Sequence, residues 1–235
     1  MKLLTVNVGR PRAVDYTNAP GGLTGIDKQP VDGPVQVADP NDLGRTDGGG
    51  SGLGDDAVCD SKHHGGTHQA VYAYAREDLD RWERRMGARI GNGAFGENLT
   101  TVGLDVSGAK IGERWRIGDR VVLEVTSGRV PCRTFAGRMG ELGLPEKGWV
   151  KEFTQRGEPG AYLKVVVPGE IRAGDPIEVV HRPDHDVTVS VAFRAQTVER
   201  SLLPSLMVAG DALNPDLVKL ARDYLAKHGG QQLPV

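Results

Sequence analysis

At 235 residues the chain is long enough for one or two domains with a proper core. Glycine contributes 33 residues, about twice its usual share, and aromatics only 5%, so turns are plentiful and a mostly helical fold is excluded. With 29 Lys and Arg against 31 Asp and Glu, the net charge of −2 offers no basic field for a phosphate backbone, which argues against a nucleic acid polymer as partner.

The opening run MKLLTVNVGR is too short in apolar residues for a signal peptide, and no stretch approaches the ~20 apolar residues of a membrane span. A soluble, cytoplasmic protein without a membrane partner is expected. Two cysteines, Cys59 and Cys132, are too few for a disulfide framework, so each is either core filler or chemistry.

Runs of β-formers bounded by glycine predict strands over Leu3 to Val8, Val35 to Val37, Arg114 to Ile117, Val121 to Thr126, Tyr162 to Val167 and Ile177 to His181. Gly118-Asp119 and Gly174-Asp175 are the turn punctuation of a sheet or barrel folding back on itself. The segment Val37 to Gly54 is dense in glycine and reads as a mobile loop. Its Gly48-Gly49-Gly50-Ser51-Gly52 lacks the Lys-Ser/Thr of a phosphate loop and is assigned no ligand.

One helix is predicted from Gln69 to Met86, where Val71, Tyr72, Ala75, Leu79, Trp82 and Met86 recur at spacings of three and four, with Thr67 as N-cap and Gly87 closing it. Beyond Asp186 the β signals stop. Val187 to Arg200 and Pro204 to Ala209 are helix candidates. A final helix is capped by Asn214-Pro215 and closed at His228-Gly229. The predicted organisation is α+β, mainly β: a barrel domain over 1–183 and a small three-helix appendage over 184–235, too small for a large core of its own.

Four places could carry chemistry. Cys132 follows an apolar strand through a proline turn, where flanking Arg129 and Arg133 would favour a thiolate; a buried structural cysteine is the alternative. His63-His64-Gly65-Gly66-Thr67-His68 precedes the predicted helix, and paired glycines with unpaired helix N–H groups would welcome a polar or anionic ligand, though a plain turn with exposed histidines fits too. Zinc on Cys59, His63, His64 and His68 is a further reading, opposed by Gly65-Gly66, which breaks the helix a His pair four apart needs; Cys59 then packs as a small apolar residue. Phe95, Glu97 and Asn98 share a loop, which alone fits an ordinary turn with Asn98 bonding its own backbone, and Thr24 stands four residues before Lys28, which by default is a surface lysine near a turn.

Taken in order, Thr24-Gly25-Ile26-Asp27-Lys28, the run Pro30 to Val35, Gly52 to Asp56, His64-Gly65-Gly66 ahead of Ala70 to Tyr74, Phe95 to Thr101, and Arg129-Val130-Pro131-Cys132 resemble the successive motifs of the MOSC domain family and its small bacterial YiiM-like branch. The helical tail resembles the three-helix unit often joined to that branch. The resemblance implies a β-barrel with flanking helices that holds the molybdenum cofactor, a Mo-pterin, with Cys132 as thiolate ligand to the metal. It implies Thr24, Lys28, His64, Gly65, Gly66, Asn98 and Arg129 as cofactor-binding positions, with His64 also as a catalytic acid. It further implies reduction of small N-hydroxylated bases or hydroxylamines to amines, with electrons from a separate reductase, since two cysteines cannot build an iron–sulfur cluster. The same thiol also suits a non-catalytic cofactor carrier or a sulfur-transfer module using a Cys132 persulfide. A zinc hydrolase at His63 to His68 is the remaining alternative.

Overall fold

The computed structural model describes residues 1–45 and 50–228. Its strands are β1 (Lys2–Gly9), β2 (Arg12–Ala13), β3 (Leu23–Thr24), β4 (Lys28–Pro30), β5 (Val35–Val37), β6 (Val71–Ala75), β7 (Leu99–Val102), β8 (Arg114–Ile117), β9 (Val121–Gly128), β10 (Ala161–Val167), β11 (Gly169–Ile171) and β12 (Ile177–His181). The α-helices are α1 (Arg76–Met86), α2 (Arg133–Glu141), α3 (Trp149–Arg156), α4 (Val189–Thr197) and α5 (Pro215–His228).

Eight strands form one mixed sheet in the order β12-β8-β9-β10-β6-β7-β1-β4, with β6 and β7 parallel and the other neighbours antiparallel. The sheet curls back on itself. Leu3 N–H donates to the Asp175 carbonyl at 2.9 Å, Gly174 N–H to Leu3 at 2.8 Å and Ile177 N–H to Met1 at 3.1 Å, so the start of β1 bonds the segment entering β12. Closing a barrel this way removes exposed edges. In β8 the alternation is plain: Trp115 and Ile117 face the interior while Arg114 and Arg116 face water.

The predicted strands are present, and the helix predicted from Gln69 is corrected. Val71–Ala75 is strand, and the helix begins only at Arg76. Every residue of β6 is buried because the strand lies between β10 and β7 with side chains covered on both faces, so its apolar run has no period of two to set it apart from a helix. Thr67 accordingly does not cap a helix; it opens a short 3-10 turn, Thr67–Gln69, preceded by Gly66. Gly87 does close α1, in the left-handed conformation.

Two apolar cores result. One fills the barrel around Leu3, Val6, Leu99, Trp115, Leu123 and Leu163, and continues without a break into Val189, Ala192, Leu206 and Leu217 of the tail. The other lies outside the barrel against α1, α2 and α3, and gathers all four phenylalanines with Trp82 and Trp149. In the tail, α4 and α5 are joined by a 3-10 stretch, Arg200–Ala212, because Pro204 lacks the N–H an α-helix needs there. Asn214 caps α5 by accepting from Asp216 N–H at 2.9 Å, whereas Gly229 lies outside the described residues.

The described part of the glycine-rich segment is held in place, which corrects the reading of Val37 to Gly54 as a mobile loop. The Arg45 guanidinium donates to the Leu53 carbonyl at 2.9 Å, to Gly54 at 2.6 Å, to Asp56 at 3.0 Å and also to Ser51, while Ser51 and Leu53 are buried. Gly48 and Gly49 lie outside the described residues. Among those residues, no helix is long and apolar enough to cross a membrane.

Candidate functional site

β9 ends at Gly128, and only Arg129 to Cys132 separate it from α2, with Pro131 buried in the turn. This short link fixes both Arg129 and Cys132 at one end of the barrel. Cys132 occupies the N-cap of α2 without capping it; its side chain makes no bond to the helix, although Ser, Thr, Asp or Asn would serve the helix better. Cys132 instead lines a pocket open to solvent, and it also packs against the apolar cluster outside the barrel.

Thr24, Lys28, His64, Gly65, Asn98, Arg129 and Cys132 all line that pocket, though they lie on segments far apart in sequence. Gly66 does not. Its backbone N–H donates to the Gly50 carbonyl at 2.9 Å, and Gly65, at φ +83°, bridges to the same residue. The paired glycines thus admit the neighbouring segment to close packing and bring Ser51 to the pocket.

Arg129 is the dominant charge. It is 6% exposed, its guanidinium carbon stands 5.0 Å from the Tyr72 ring centre and 4.9 Å from that of Phe135, and its Nε has no hydrogen-bond partner. No carboxylate pairs with it among the described residues. Gly96 makes room for it, since a Cβ there would lie 3.0 Å from Arg129 Nη1. Arg133, expected to flank the thiol, points away: it is exposed and donates to Asn18 at 2.9 Å, because position one of α2 turns its side chain outward.

Lys28 is buried and already paired, which corrects the default of a surface lysine. Its Nζ bonds Asp56, a buried carboxylate that also accepts from Gly9 N–H at 2.7 Å and from Asn98 Nδ2 at 2.8 Å. Asn98 spends its remaining capacity on Tyr72 N–H at 3.1 Å and the Asn7 carbonyl at 3.3 Å. Lys28 and Asn98 therefore brace the pocket floor, and Asp56, the last residue of the Gly52 to Asp56 motif, ties them together. Thr24 Oγ1 accepts from Ile26 N–H at 3.1 Å, which leaves its own proton free to donate. Glu97 stays out of the pocket. Burial raises its pKa while it accepts from Gly93, Phe95 and Thr100, holding the loop that presents Asn98.

Burial, reinforced by the Arg129 charge, lowers the His64 pKa to about 4, so the imidazole is neutral around pH 7 and acts there as a hydrogen-bonding group with one N–H. Cys59 lines the same pocket only half-buried, which corrects its expected place in the core; burial pushes its thiol pKa up. Tyr72 and Tyr162 supply the aromatic wall, their rings 5.1 Å apart, and burial raises both phenols. Sequence spacing hides Tyr72 by placing it on a helix face. The zinc ligands considered above diverge: His63 pairs with Asp60 at 3.1 Å on the surface, His64 faces the pocket, and His68 does not line it. Among the described residues no three His, Cys, Asp or Glu side chains converge on a point.

The MOSC domain family model matches residues 60–178, half of the chain, including the link that carries Arg129 and Cys132. The chain belongs to the MOSC family. This MOSC protein is 31% identical over 192 residues to YflK of Bacillus subtilis (strain 168), covering 82% of this chain and 79% of that one. It is 31% identical over 210 residues to a reductase of Gibberella moniliformis (strain M3125 / FGSC 7600), covering 86% of this chain but 34% of that one. The crystal structure of YiiM from Geobacillus stearothermophilus superposes with a TM-score of 0.72 at 25% identity, over 95% of this chain and 98% of that one, which makes this a YiiM-like MOSC fold.

Proposed function

We propose that the pocket holds a Mo-pterin cofactor and that the protein reduces N-hydroxylated compounds to amines with electrons from a separate reductase. The observation that carries this reading is that one pocket is lined both by Cys132, which makes no cap bond, and by a buried Arg129 guanidinium that has no protein counter-charge among the described residues. Leaving a buried cation without a partner is costly, so the site is built for an anion. A phosphorylated pterin dithiolene bearing an oxo-metal fits, because it brings a phosphate for the cation and a metal for the soft sulfur.

Arg129 would hold the anionic part of the cofactor, with Thr24 donating its free hydroxyl proton and the Lys28–Asp56 pair keeping the floor rigid. When bound, the cofactor supplies a centre able to exchange two electrons. The balanced reaction is R–NHOH plus two electrons and two protons giving R–NH2 and water. His64, neutral near pH 7, would hydrogen-bond the departing oxygen through its N–H and would relay a proton only by taking one up at its other ring nitrogen as that N–H is given.

Similarity to a protein named as a reductase supports the direction of the chemistry. The test is amine formation from 6-hydroxylaminopurine by the cofactor-loaded protein with a reduced viologen as electron source. Turnover lost in Cys132→Ala is expected. Stable cofactor content without turnover under any donor would instead mark a carrier, and persulfide on Cys132 a sulfur-transfer module.

A further inference from the structure

The link between β2 and β3, residues 14–22, gives Thr17 and Ala19 to the wall of the pocket, and Leu23 at its foot lines the same space while 38% exposed. Part of that wall is therefore a surface segment. Of residues 14–22 only Ala19 is buried.

What holds the segment in place is polar and comes from α2, the helix that starts directly after Cys132. At the foot of the link, the Arg12 guanidinium donates to the two Glu141 carboxylate oxygens at 2.9 and 2.6 Å and to Tyr16 Oη at 3.1 Å. Thr134 Oγ1 donates to Thr17 Oγ1 at 3.0 Å, and Arg133 donates to Asn18 at 2.9 Å. These ties run from the first residue of α2 to its last. The Arg12 and Glu141 side chains are 41% and 29% exposed, so water screens their pair and its contribution is small. A segment with one buried residue and exposed polar fastenings opens far more readily than the barrel beneath it.

Gly137 shows that the closed position is built into the helix. Glycine is a poor helix former, yet it stands inside α2, where a Cβ would lie 2.3 Å from Tyr16 Cγ. Tyr16 thus sits on bare helix backbone. At the other end of the segment Gly21 and Gly22 stand in succession at φ +69° and +66°, beside a ladder of only two residue pairs, Arg12 with Thr24 and Ala13 with Leu23. Two adjacent glycines next to so short a ladder supply a hinge.

We infer that residues 14–22 form a hinged lid on the pocket, seated on α2 at Gly137 and latched by the Arg12–Glu141 and Thr17–Thr134 contacts, and that a ligand of the pocket's size enters and leaves when this lid lifts. Closing it covers the ligand from the side of the helix that follows Cys132. The assignment concerns access to the pocket and holds whichever anion fills it.

The two cysteines of the chain, Cys59 and Cys132, both line the pocket and so report its opening. Full-length protein from a host unable to make the Mo-pterin is treated with fluorescein maleimide, a bulky thiol reagent, and in parallel with the small N-ethylmaleimide, and peptide mass spectrometry follows each cysteine in time. Glu141→Ala removes the charged latch and raises the bulky-reagent rate at Cys132 about 2–5-fold. Gly137→Ala improves the helix but drives its methyl into Tyr16, which raises that rate at least ~5-fold, with the small-reagent rate and the melting temperature near wild type. Thr17→Cys combined with Thr134→Cys replaces two hydroxyls 3.0 Å apart by sulfurs placed for a disulfide; once oxidised, this protein takes up the bulky reagent at Cys132 at least ~10-fold more slowly than wild type, and reduction followed by desalting restores the rate. A locked protein that reacts as fast as wild type, an equal rise for both reagents, or no rise in either single variant would overturn the lid. Molybdenum content bears on the cofactor reading alone, so the two proposals fail separately.

Discussion

The guanidinium carbon of Arg129 stands 5.0 Å from the centre of the Tyr72 ring, on a strand read from the sequence as helix. The ring is itself fixed, since Tyr72 Oη donates to the Pro159 carbonyl at 2.7 Å and its backbone N–H to Asn98. A buried cation is thus held by faces of π-electron density and left open on the side of the pocket.

Arg129→Met is therefore expected to separate stability from function. Removing an unpaired buried charge leaves the cofactor-free protein as stable as wild type or more stable by about 1 kcal/mol, while anion binding in the pocket falls at least ~10-fold. Urea denaturation and phosphate titration of the variant check both halves. Arg129→Lys does not restore binding, because an ammonium cannot reproduce the planar group stacked between Tyr72 and Phe135.

The Lys28–Asp56 pair behaves in the opposite way. Asp56→Asn strands the buried Lys28 ammonium and sets an amide donor among the Gly9 and Asn98 donors, costing about 3–5 kcal/mol. Lys28→Met strands Asp56 at similar cost. The double variant loses less than the sum of the two, and a double-mutant cycle in urea measures that coupling.

His64 gives a pH dependence of known sign. Its pKa is about 4 folded and 6.5 in a free side chain, so between these values the unfolded chain binds more protons and stability falls as pH is lowered; the contribution is intact above pH 6.5. The full effect is roughly 3 kcal/mol. His64→Gln should flatten the stability curve by about this amount between pH 6.5 and pH 4 in denaturation series at several pH values, and an unchanged slope would show that the ring ionises freely in the folded state.

Much of the barrel was legible because strands such as β8 alternate and end at glycine turns, while α5 announces itself through Asn214-Pro215. β6 was not, because a strand covered on both faces has no polar positions to set its period. At the site, Cys132 and Arg129 were readable from their placement after an apolar strand, but Arg133 was not, since a helix starting at that position swings adjacent side chains apart. Asp56 stands in a motif read from the sequence and Ser51 in the glycine-rich run, but their roles escaped because these depend on partners such as Lys28 and Asn98, or on packing near Gly65, that only the closed fold brings together.

The Cys132 sulfur is proposed to bind molybdenum. Full-length wild type and Cys132→Ala, expressed side by side in a host that makes the cofactor, are to be compared for molybdenum per chain by mass spectrometry, with circular dichroism to establish folding. About one molybdenum per wild-type chain and almost none in the folded variant is the predicted result. Equal molybdenum in both, or none in either while both are folded, would contradict the assignment.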